Sequence, residues 1–393
     1  MERIGIYGGT FNPPHVGHFR GARYALTALE LDRVLMIPDR IAPHKELPEN
    51  SASAEQRLEM LSLGLASEEK IAASPLAIQR DGASYTYETV AQIRALYPQA
   101  KLYFLMGADM LPTFLSWREP QKILADATLA VFCRGGREEQ LAAQQAKTEI
   151  EAVGGEVVLL DNPITDISST QLRRMLVFRC ASEFIPQSVE TYIYQNGLYG
   201  TSQDYRCLPL EQLEKVVISL LKPNRVNHVL GCAQTAGELA RLYGVNETDA
   251  VRAALLHDIT KALDGPLQLT LCRAYGTILD EFSTKNPKTL HALTGSLVAE
   301  RIFGENRAVV EAIRAHTTGK ADMTLLEKII YVADYMEPNR DFPGVEKLRS
   351  LAYTDITQAL KLGLHMTLAM LTEQGREVSP ESREALLYLE NNR

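Results

Sequence analysis

A change in the spacing of apolar residues near residue 200 most constrains how this chain can fold. Up to that point, short β-rich runs such as Arg3–Tyr7 and Leu102–Met106 alternate with amphipathic helical stretches such as Tyr87–Leu96. This alternation predicts a parallel sheet with helices on both of its faces. Beyond residue 200 the β-rich runs end and helical periodicity continues to the C-terminus. The chain is therefore predicted to hold an α/β domain followed by an all-α domain.

The strand and helix candidates set the expected domain limits. The five strand candidates are Arg3–Tyr7, Arg33–Ile37, Leu102–Met106, Leu129–Phe132 and Glu156–Leu160. In the second half the clearest helical patterns are Leu210–Leu221, Val229–Tyr243 and Ala250–Leu256. A length of 393 residues suits two domains that each bury a core. We expect these domains over residues 1–200 and 205–393.

The net charge of the chain argues against some classes of binding partner, and its cysteine content indicates a cellular compartment. The formal net charge of −8 argues against nucleic acid or an anionic membrane as a partner, because such binders carry a basic excess. The five cysteines include no Cys-x-x-Cys pair, which favours a reducing compartment. No apolar run approaches the roughly 18 residues of a membrane span, so we expect a cytoplasmic protein. The sequence leaves open whether the chain forms a homo-oligomer.

The most informative motif runs from Gly8 to His18 behind the first strand candidate and reads Gly-Gly-Thr-Phe-Asn-Pro-Pro-His-Val-Gly-His. Glycines at the end of a strand let the backbone approach a phosphate, because no Cβ intervenes and positive φ carries no penalty. A helix that begins near Pro14 would direct both histidine rings and its free N–H groups toward that edge of the sheet. The motif predicts a nucleotide-binding loop. Its candidate phosphate contacts are Gly8, Gly9, Thr10, Phe11, His15 and His18.

Two further segments offer hydroxyls and cations to the same phosphates. The segment Ile167–Arg174 places hydroxyls where a helix begins, with a cation one turn later. Its candidate contacts to the phosphates of the nucleotide are Ser168, Ser169, Thr170 and Arg173. Lys45, behind the second strand candidate, would add positive charge there. The ordinary alternatives are a helix cap for the hydroxyls and a solvated position for the lysine.

Candidates for a second ligand lie behind the strand candidate Leu102–Met106 and around the single tryptophan. Gly107 and Asp109 follow that strand, where a carboxylate can accept hydrogen bonds from ribose hydroxyls. Trp117 offers a ring for stacking, and Ser84–Tyr87 supplies a further polar segment. A core position for the tryptophan and a helix cap for the aspartate are the ordinary alternatives.

In this order, over about residues 3–195, the segments resemble nicotinate mononucleotide adenylyltransferases. The resemblance implies a Rossmann-like nucleotidyltransferase fold that transfers the adenylyl group of Mg²⁺-ATP to nicotinate mononucleotide, giving deamido-NAD and pyrophosphate. It implies that His15 and His18 contact phosphates and stabilise the transition state. The implied mononucleotide contacts are Tyr85, Thr86, Gly107, Asp109, Trp117 and Arg134. Phosphopantetheine adenylyltransferase or cytidylyltransferase activity is the alternative, disfavoured by the Phe-Asn-Pro-Pro form of the loop.

The second half holds five of the chain's eight histidines, and four of them indicate a metal site. His257 and Asp258 lie side by side within an apolar helical run, where buried polar groups need partners. A bound metal would be such a partner. Imidazole and carboxylate ligands suit iron, manganese or zinc, and the absence of cysteine ligands disfavours a structural zinc site. The fifth histidine, His365, is interpreted as structural.

The motifs around these residues resemble the HD-domain metallophosphohydrolases, and more closely the YqeK family, which cleaves diadenosine tetraphosphate symmetrically to two ADP. The resemblance implies a metal, with iron the expected ion, held by His228, His257, Asp258 and Asp334, and a catalytic role for Asp258. The implied ADP-binding residues, which would neutralise the charge of the polyphosphate, are Arg225, Lys261, Thr317 and Arg340. His291 and His316 would bind a second metal or the phosphates. A regulatory module that binds a nucleotide without turnover, or hydrolysis of another nucleotide, is the alternative.

Overall fold

The computed structural model describes residues 1–41, 47–48, 50–133, 136–161 and 167–392. The chain divides into two compact units, Met1–Gln203 and Asp204–Arg393. The predicted fold class is confirmed, because a parallel sheet forms the centre of the first unit and every regular element described in the second unit is a helix. Lys45 and Arg134 lie outside the described residues.

The sheet of the first unit has six parallel strands in the order β3-β2-β1-β4-β5-β6. The strands are β1 (Arg3–Gly9), β2 (Arg33–Pro38), β3 (Ile71–Ala73), β4 (Lys101–Gly107), β5 (Ala127–Phe132) and β6 (Val157–Leu160). All five predicted strands are present, within two residues of their expected ends. The prediction omitted β3, because three residues are too few to show an alternating pattern.

Helices cover both faces of this sheet. They are α1 (Val16–Ala28), α2 (Ala54–Gly64), α3 (Thr86–Leu96), α4 (Pro120–Asp126), α5 (Arg137–Ala152), α6 (Ser169–Val177) and α7 (Gln187–Gln195), with 3-10 helices at Ala108–Ser116 and Leu198–Gly200. Alternate side chains of β4 enter different cores: Phe104 packs in one cluster with α3, α4 and α5, and Leu105 packs in the other with α1 and α2. Two-residue alternation along a strand thus explains why its sequence reads as continuously apolar.

The order of the strands locates the expected ligand site. The chain passes from β1 to β2 on one side, and β4 returns to pair with β1 on the other side. The carboxyl ends of β1 and β4 therefore border a crevice at the point where the winding of the sheet reverses. Open parallel sheets bind ligands in such a crevice. The Gly8–His18 motif begins at the carboxyl end of β1.

The second unit is built from eleven described helices. They are α8 (Leu210–Leu220), α9 (Val226–Tyr243), α10 (Glu247–Leu256), α11 (Gly265–Ala274), α12 (Glu281–Lys285), α13 (Leu290–Arg301), α14 (Arg307–Ala315), α15 (Leu325–Met336), α16 (Val345–Ala352), α17 (Ile356–Glu373) and α18 (Pro380–Asn391), with 3-10 helices at Pro223–Arg225 and Pro287–Thr289. Among the described helices, none is both long and apolar enough to cross a membrane.

Helix ends in the second unit follow from capping residues. α10 begins three residues before the predicted Ala250 because the Asn246 side chain accepts a hydrogen bond from the Asp249 amide. α9 ends at Gly244, which has a left-handed φ of 69° that glycine adopts without strain. The apolar pattern alone does not show where α10 begins, since the first turn of a helix is often polar, whereas it predicted the end of α9 at Tyr243.

Candidate active sites

Two donors on α6 bind the loop that follows β1. Arg173 Nη1 donates to the carbonyl oxygen of Asn12 at 2.7 Å, and the Ser169 hydroxyl donates to that of Pro13 at 3.0 Å. The guanidinium of Arg173 also donates to the Thr170 hydroxyl at 3.1 Å. The structure thus brings the Gly8–His18 motif and the start of α6 together at the carboxyl edge of the sheet.

The two histidines of the motif lie against each other. The amide N–H of His15 donates to Nδ1 of His18 at 3.1 Å, and the ring centroids are 3.7 Å apart. Because Nδ1 of a neutral His18 accepts this bond, its ring proton lies on Nε2. That N–H is a donor suited to a phosphate oxygen. His15 is buried, whereas His18 is partly exposed.

The two glycines of the motif do not use the positive φ that we predicted for them. Neither Gly8 nor Gly9 has a positive φ; the left-handed residue of the loop is Phe11, with a φ of 49°. A Cβ on Gly9 would lie 3.3 Å from the Phe11 ring, and one on Gly8 would lie 3.5 Å from Phe104. The glycines therefore leave space at the end of β1, and the backbone freedom we predicted for them is not used.

The Ser168 hydroxyl caps α6, which is the ordinary alternative named for it; its contact to a phosphate stays a prediction. It accepts a hydrogen bond from the Gln171 amide at 3.2 Å and lies 3.0 Å from Oε1 of the same residue. The Gln171 side chain in turn accepts from the Ser168 amide, which completes a capping box. The single hydroxyl proton is used within the cap.

The candidate mononucleotide contacts lie at the ends of β4 and α3. Gly107 is the last residue of β4, and Asp109 is exposed in the 3-10 helix that follows. Trp117 is half-buried, with its ring centroid 5.3 Å from that of Phe114, so part of the ring belongs to the core. Tyr85 immediately precedes α3, whose first residue is Thr86. The Tyr85 ring lies 4.5 Å from the guanidinium carbon of Arg118.

Sequence analysis missed a buried arginine behind the loop. Arg57 on α2 is only 1% exposed. Its guanidinium donates to the carbonyl oxygens of Thr10 and Asp39, both at 2.6 Å. Burial raises the pKa of Asp39 to about 6, although the nearby charges of Arg57 and Arg80 lower it. The only available signal was an arginine in an amphipathic helix, which normally indicates a solvent-facing position.

Four candidate metal ligands converge in the second unit. His228 lies in the first turn of α9, His257 and Asp258 directly follow α10, and Asp334 lies near the end of α15. Nε2 of His228 lies 3.1 Å from Oδ1 of Asp334 and 3.3 Å from Nε2 of His257. Nε2 of His257 lies 3.5 Å from Oδ2 of Asp258. Ligand atoms around one ion at bonds of about 2.1 Å are roughly 3.0–3.4 Å apart. Among the described residues, His228, His257 and Asp334 form one candidate metal cluster, whereas Asp258 groups with His257 and His316 in a second one.

Backbone carbonyls fix the tautomers of three histidines. The Nδ1 atoms of His257, His291 and His316 lie 2.6, 2.9 and 2.6 Å from the carbonyl oxygens of Ala254, Lys288 and Ile313. A carbonyl oxygen only accepts, so the ring proton lies on Nδ1 and the lone pair on Nε2. Burial lowers the pKa of His316 to about 4 and holds the pKa values of His257 and His291 well below their usual range. These rings are therefore neutral near pH 7, the form that binds metals.

Asp258 has a buried oxygen that lacks a hydrogen-bond partner. Its Oδ2 accepts from Arg225, whereas its Oδ1 meets no hydrogen-bond partner within the described part of the chain. Leaving a buried carboxylate oxygen unsatisfied is costly, which indicates a ligand at this point. The other carboxylate, Asp334, accepts from Arg340 Nη2 at 2.6 Å. The structure thus places two of the four predicted polyphosphate contacts beside the metal ligands.

The remaining predicted contacts surround His291. Lys261 Nζ lies 2.8 Å from its Nε2, and the Thr317 hydroxyl lies 3.0 Å from the same atom and 3.1 Å from Nε2 of His316. The Lys261 ammonium is also 3.7 Å from Oδ1 of Asp258. Burial lowers the pKa of Lys261 to about 8. Histidines, a hydroxyl and a cation therefore share one buried edge of the site.

Three residues at this site escaped sequence analysis. Oε1 of the buried Glu337 accepts from Nδ1 of His228 at 3.1 Å, which directs Nε2 of that ring at the other ligands. A Cβ on Gly231 would lie within 3.3 Å of the Glu337 side chain, so only glycine leaves room for it. Cys232 Sγ lies 3.6 Å from Nε2 of His228, although we expected no cysteine here. One turn of α9 separates Cys232 from His228, a spacing that could have indicated it.

Two family models match the chain. The model described as cytidylyltransferase-like matches residues 6–175, and the HD domain model matches residues 225–339. Together with the fold and the two sites, they define a nucleotidyltransferase-like domain followed by an HD domain. The HD domain is typically metal-dependent, in agreement with the ligand cluster around His228.

Close relatives cover the first half of the chain. It is 35% identical over 198 residues to a probable nicotinate-nucleotide adenylyltransferase from Dictyoglomus thermophilum, covering 50% of this chain and 99% of the relative. A second relative with the same description, from Neisseria meningitidis serogroup B, is 36% identical over 205 residues, covering 51% of this chain and 99% of the relative. The N-terminal half of the chain belongs to the nicotinate-nucleotide adenylyltransferase family.

Solved structures match each half separately. A "predicted HD superfamily hydrolase involved in NAD metabolism" from Clostridium acetobutylicum is 34% identical, with a TM-score of 0.46, and covers 47% of this chain and 99% of its own. Nicotinic acid mononucleotide adenylyltransferase from Plasmodium falciparum, complexed with NaAD, is 19% identical with a TM-score of 0.43. That match covers 51% of this chain and 98% of the other.

Proposed function

We propose that the N-terminal unit transfers the adenylyl group of ATP to nicotinate mononucleotide, giving deamido-NAD and pyrophosphate. The observation that carries this proposal is the His15–His18 pair at the carboxyl end of β1, joined to α6 through Arg173. The names of the relatives in the adenylyltransferase family support the choice of substrate.

The proposed reaction needs positioning and charge neutralisation more than covalent chemistry. An oxygen of the mononucleotide phosphate attacks the α-phosphorus of ATP, the bond from that phosphorus to the bridging oxygen breaks, and pyrophosphate leaves. The Nε2–H of His18 would donate to a phosphoryl oxygen as its negative charge grows. The guanidinium of Arg173 would offset the charge on the leaving group. Mg²⁺ would enter with the triphosphate.

The first test is substrate choice. The full chain is incubated with Mg²⁺-ATP and, separately, with nicotinate mononucleotide, nicotinamide mononucleotide and phosphopantetheine, and the products are separated by anion-exchange chromatography. We expect deamido-NAD and pyrophosphate, with slower turnover of nicotinamide mononucleotide. Faster adenylylation of phosphopantetheine would contradict the proposal.

We propose that the HD domain hydrolyses diadenosine tetraphosphate symmetrically to two ADP, with iron as its metal. The observation that carries this proposal is Oδ1 of Asp258, which has no hydrogen-bond partner among the described residues and lies within 4.0 Å of His291, His316 and Lys261. In this arrangement His228, His257, Asp258 and Asp334 hold the ion. When bound, the ion supplies Lewis-acid polarisation of a phosphoryl oxygen.

The residues beside the ligands would bind the polyphosphate. The Lys261 ammonium lies 2.8 Å from Nε2 of His291, so this cation would donate to a phosphate oxygen held beside that ring. The Thr317 hydroxyl would donate to a phosphate oxygen. Arg225 and Arg340, which bind the two candidate carboxylates, would also offset phosphate charge.

The hydrolase test follows the products of diadenosine tetraphosphate with the iron-loaded full chain, and Asp258→Ala serves as its control. Metal-dependent formation of ADP alone, absent in the variant, is the expected result. ATP plus AMP would place the cleavage at another phosphate. Bound metal without turnover would instead support a regulatory module or another nucleotide, and cyclic dinucleotides and guanosine polyphosphates are then the substrates to assay.

A further inference from the structure

The side chain of Asn12, in the loop that follows β1, is bound at both ends by segments outside α6. Its Oδ1 accepts a hydrogen bond from the Tyr199 hydroxyl at 2.9 Å, and its Nδ2 donates to the Ser51 hydroxyl at 2.9 Å. The carbonyl oxygen of Asn12 accepts from Arg173, as described above. Three polar atoms of this one residue are therefore held by three separate segments of the first unit.

The hydrogen bond between Tyr199 and Asn12 is shielded from water. Tyr199 is 6% exposed and Asn12 is 4% exposed. Burial raises the pKa of the Tyr199 hydroxyl above its ordinary value, so the hydroxyl keeps its proton and donates. Without this donor the amide oxygen of Asn12 would be buried and unsatisfied, which is costly. The bond therefore restrains the loop more firmly than an exposed contact would.

The backbone of Tyr199 indicates that its side chain is needed at this position. Tyr199 has a left-handed φ of 58° within the 3-10 helix Leu198–Gly200. Bulky residues rarely adopt this conformation, whereas glycine adopts it without strain. Gly197 and Gly200, close on either side, are glycines with a left-handed φ. A tyrosine held between them in the same region of backbone space is the kind of outlier that accompanies a functional constraint.

The restrained Asn12 lies three residues before His15, in the segment that leads to the histidine pair. The amide N–H of His15 donates to Nδ1 of His18 at 3.1 Å, which leaves the ring proton of His18 on Nε2. The path of the chain from Asn12 to His15 therefore sets the place of that amide. A displacement of Asn12 would move the amide and, with it, the Nε2–H of His18.

We propose that Tyr199 is a positioning residue for adenylyl transfer, which acts through Asn12 on the donors His18 and Arg173. The inference rests on the proposed adenylyl transfer by the N-terminal unit. Tyr199 would contact neither the substrates nor the reacting phosphorus. Because these donors bind the charge that develops in the transition state, their misplacement lowers kcat more than it changes KM.

The test removes the hydroxyl and keeps the ring, with Tyr199→Phe in the full chain. Tyr103→Phe is the matched control, because Tyr103 is 3% exposed and its hydroxyl also makes a buried contact. That hydroxyl accepts from Nη2 of Arg3 at 2.8 Å, at the opposite end of β1 from the loop. Initial rates with Mg²⁺-ATP and nicotinate mononucleotide give kcat and both KM values, and circular dichroism follows thermal unfolding of each variant.

We expect Tyr199→Phe to lower kcat about tenfold and to change the KM of each substrate by no more than about twofold. Tyr103→Phe should keep the kcat of the unmodified chain, even where its unfolding temperature falls as much as that of Tyr199→Phe. If Tyr199 acts through Asn12, then adding Tyr199→Phe to Asn12→Ala should lower kcat no further.

An unchanged kcat in Tyr199→Phe, an equal fall in Tyr103→Phe, or a full further fall in the Asn12→Ala background would overturn the positioning role. Adenylylation of phosphopantetheine in place of nicotinate mononucleotide, with kcat reduced by Tyr199→Phe alone, would retain that role and reject the proposed substrate. Absence of adenylyl transfer from the unmodified chain to either acceptor would reject the proposed function and this inference together.

Discussion

The two candidate sites are built from different parts of the polypeptide. In the first unit, side chains such as Arg57 and Arg173 bind the carbonyl oxygens of a loop and so fix a backbone surface for the ligand. In the second unit, backbone carbonyls bind histidine rings and so fix side chains that face one centre. Among the described residues, the groups with metal-ligating geometry lie in the second unit. The cations in the two proposals differ accordingly: Mg²⁺ would enter the first site with ATP, whereas side chains of the second unit would hold an ion.

The largest expected effect separates the two sites. His18→Ala should reduce adenylyl transfer about 10²–10³-fold, the usual cost of removing a donor to a developing charge, and leave polyphosphate hydrolysis unchanged. Asp258→Ala should abolish hydrolysis and bound metal but spare adenylyl transfer. Assays of adenylyl transfer and of polyphosphate hydrolysis measure the two activities, and elemental analysis of the purified proteins measures the bound metal. Loss of both activities in either folded variant would contradict two independent sites.

A pH-dependent stability difference tests the burial of Asp39 in the first unit. Its pKa is raised from 3.8 to about 6, so the folded state binds more protons than the unfolded state between these values. The free energy of unfolding therefore falls as pH rises from about 4 to 6, by about 3 kcal/mol, and stays low above that range. Asp39→Asn should stabilise the chain at pH 7 and have little effect below pH 4.

Denaturant titrations at the two pH values measure this difference. Asp81→Asn is the control, because Asp81 is exposed in the same unit. Equal stability of the Asp39→Asn variant and the unmodified chain at pH 7 would show that the carboxyl group is not destabilised by burial.

The affinity for metal tests whether the hydrogen bond from His228 to Glu337 orients this predicted metal ligand. Glu337→Gln keeps the shape of the side chain but weakens the acceptor for Nδ1 of His228, so we expect 10–100-fold weaker metal binding. Competition with a chelating dye measures that affinity without any assay of activity. Glu327→Gln is the matched control, since Glu327, in the first turn of α15, is as buried as Glu337, which follows that helix, but bonds to the Thr324 amide and Lys320. Equal loss of affinity in both variants would assign the effect to general destabilisation.

The smallest expected effect concerns the cap of α6. Ser168→Ala should lower the free energy of unfolding by about 1 kcal/mol, the usual cost of losing a cap, and should leave the KM for ATP nearly unchanged. Ser168→Asp keeps a capping acceptor and should restore stability. A large rise in the KM for ATP in the alanine variant would instead support the predicted phosphate contact of Ser168.

The sequence predicted the elements whose apolar pattern is regular, and five of the six strands belong to this group because periodicity is a local property. His228, His257, Asp258 and Asp334, which the resemblance implied as ligands, stay predicted metal ligands. Arg57 and Glu337 could not be found in this way. Whether a charged side chain points inward depends on acceptors more than 40 residues away, such as the Thr10 carbonyl for Arg57. The cap role of Ser168 was named but could not be chosen over phosphate binding, because both use the same hydroxyl.

The carbonyl contacts of the histidine rings have a consequence for mutation. The acceptors at residues 254, 288 and 313 are backbone atoms, which every amino acid has, so substitution at those positions removes none of them. His228 differs, because its Nδ1 depends on the side chain of Glu337. A substitution of one other residue, Glu337, therefore removes the contact that orients the His228 ring. The rings of His257, His291 and His316 keep their carbonyl contacts through any substitution elsewhere that preserves the local helix.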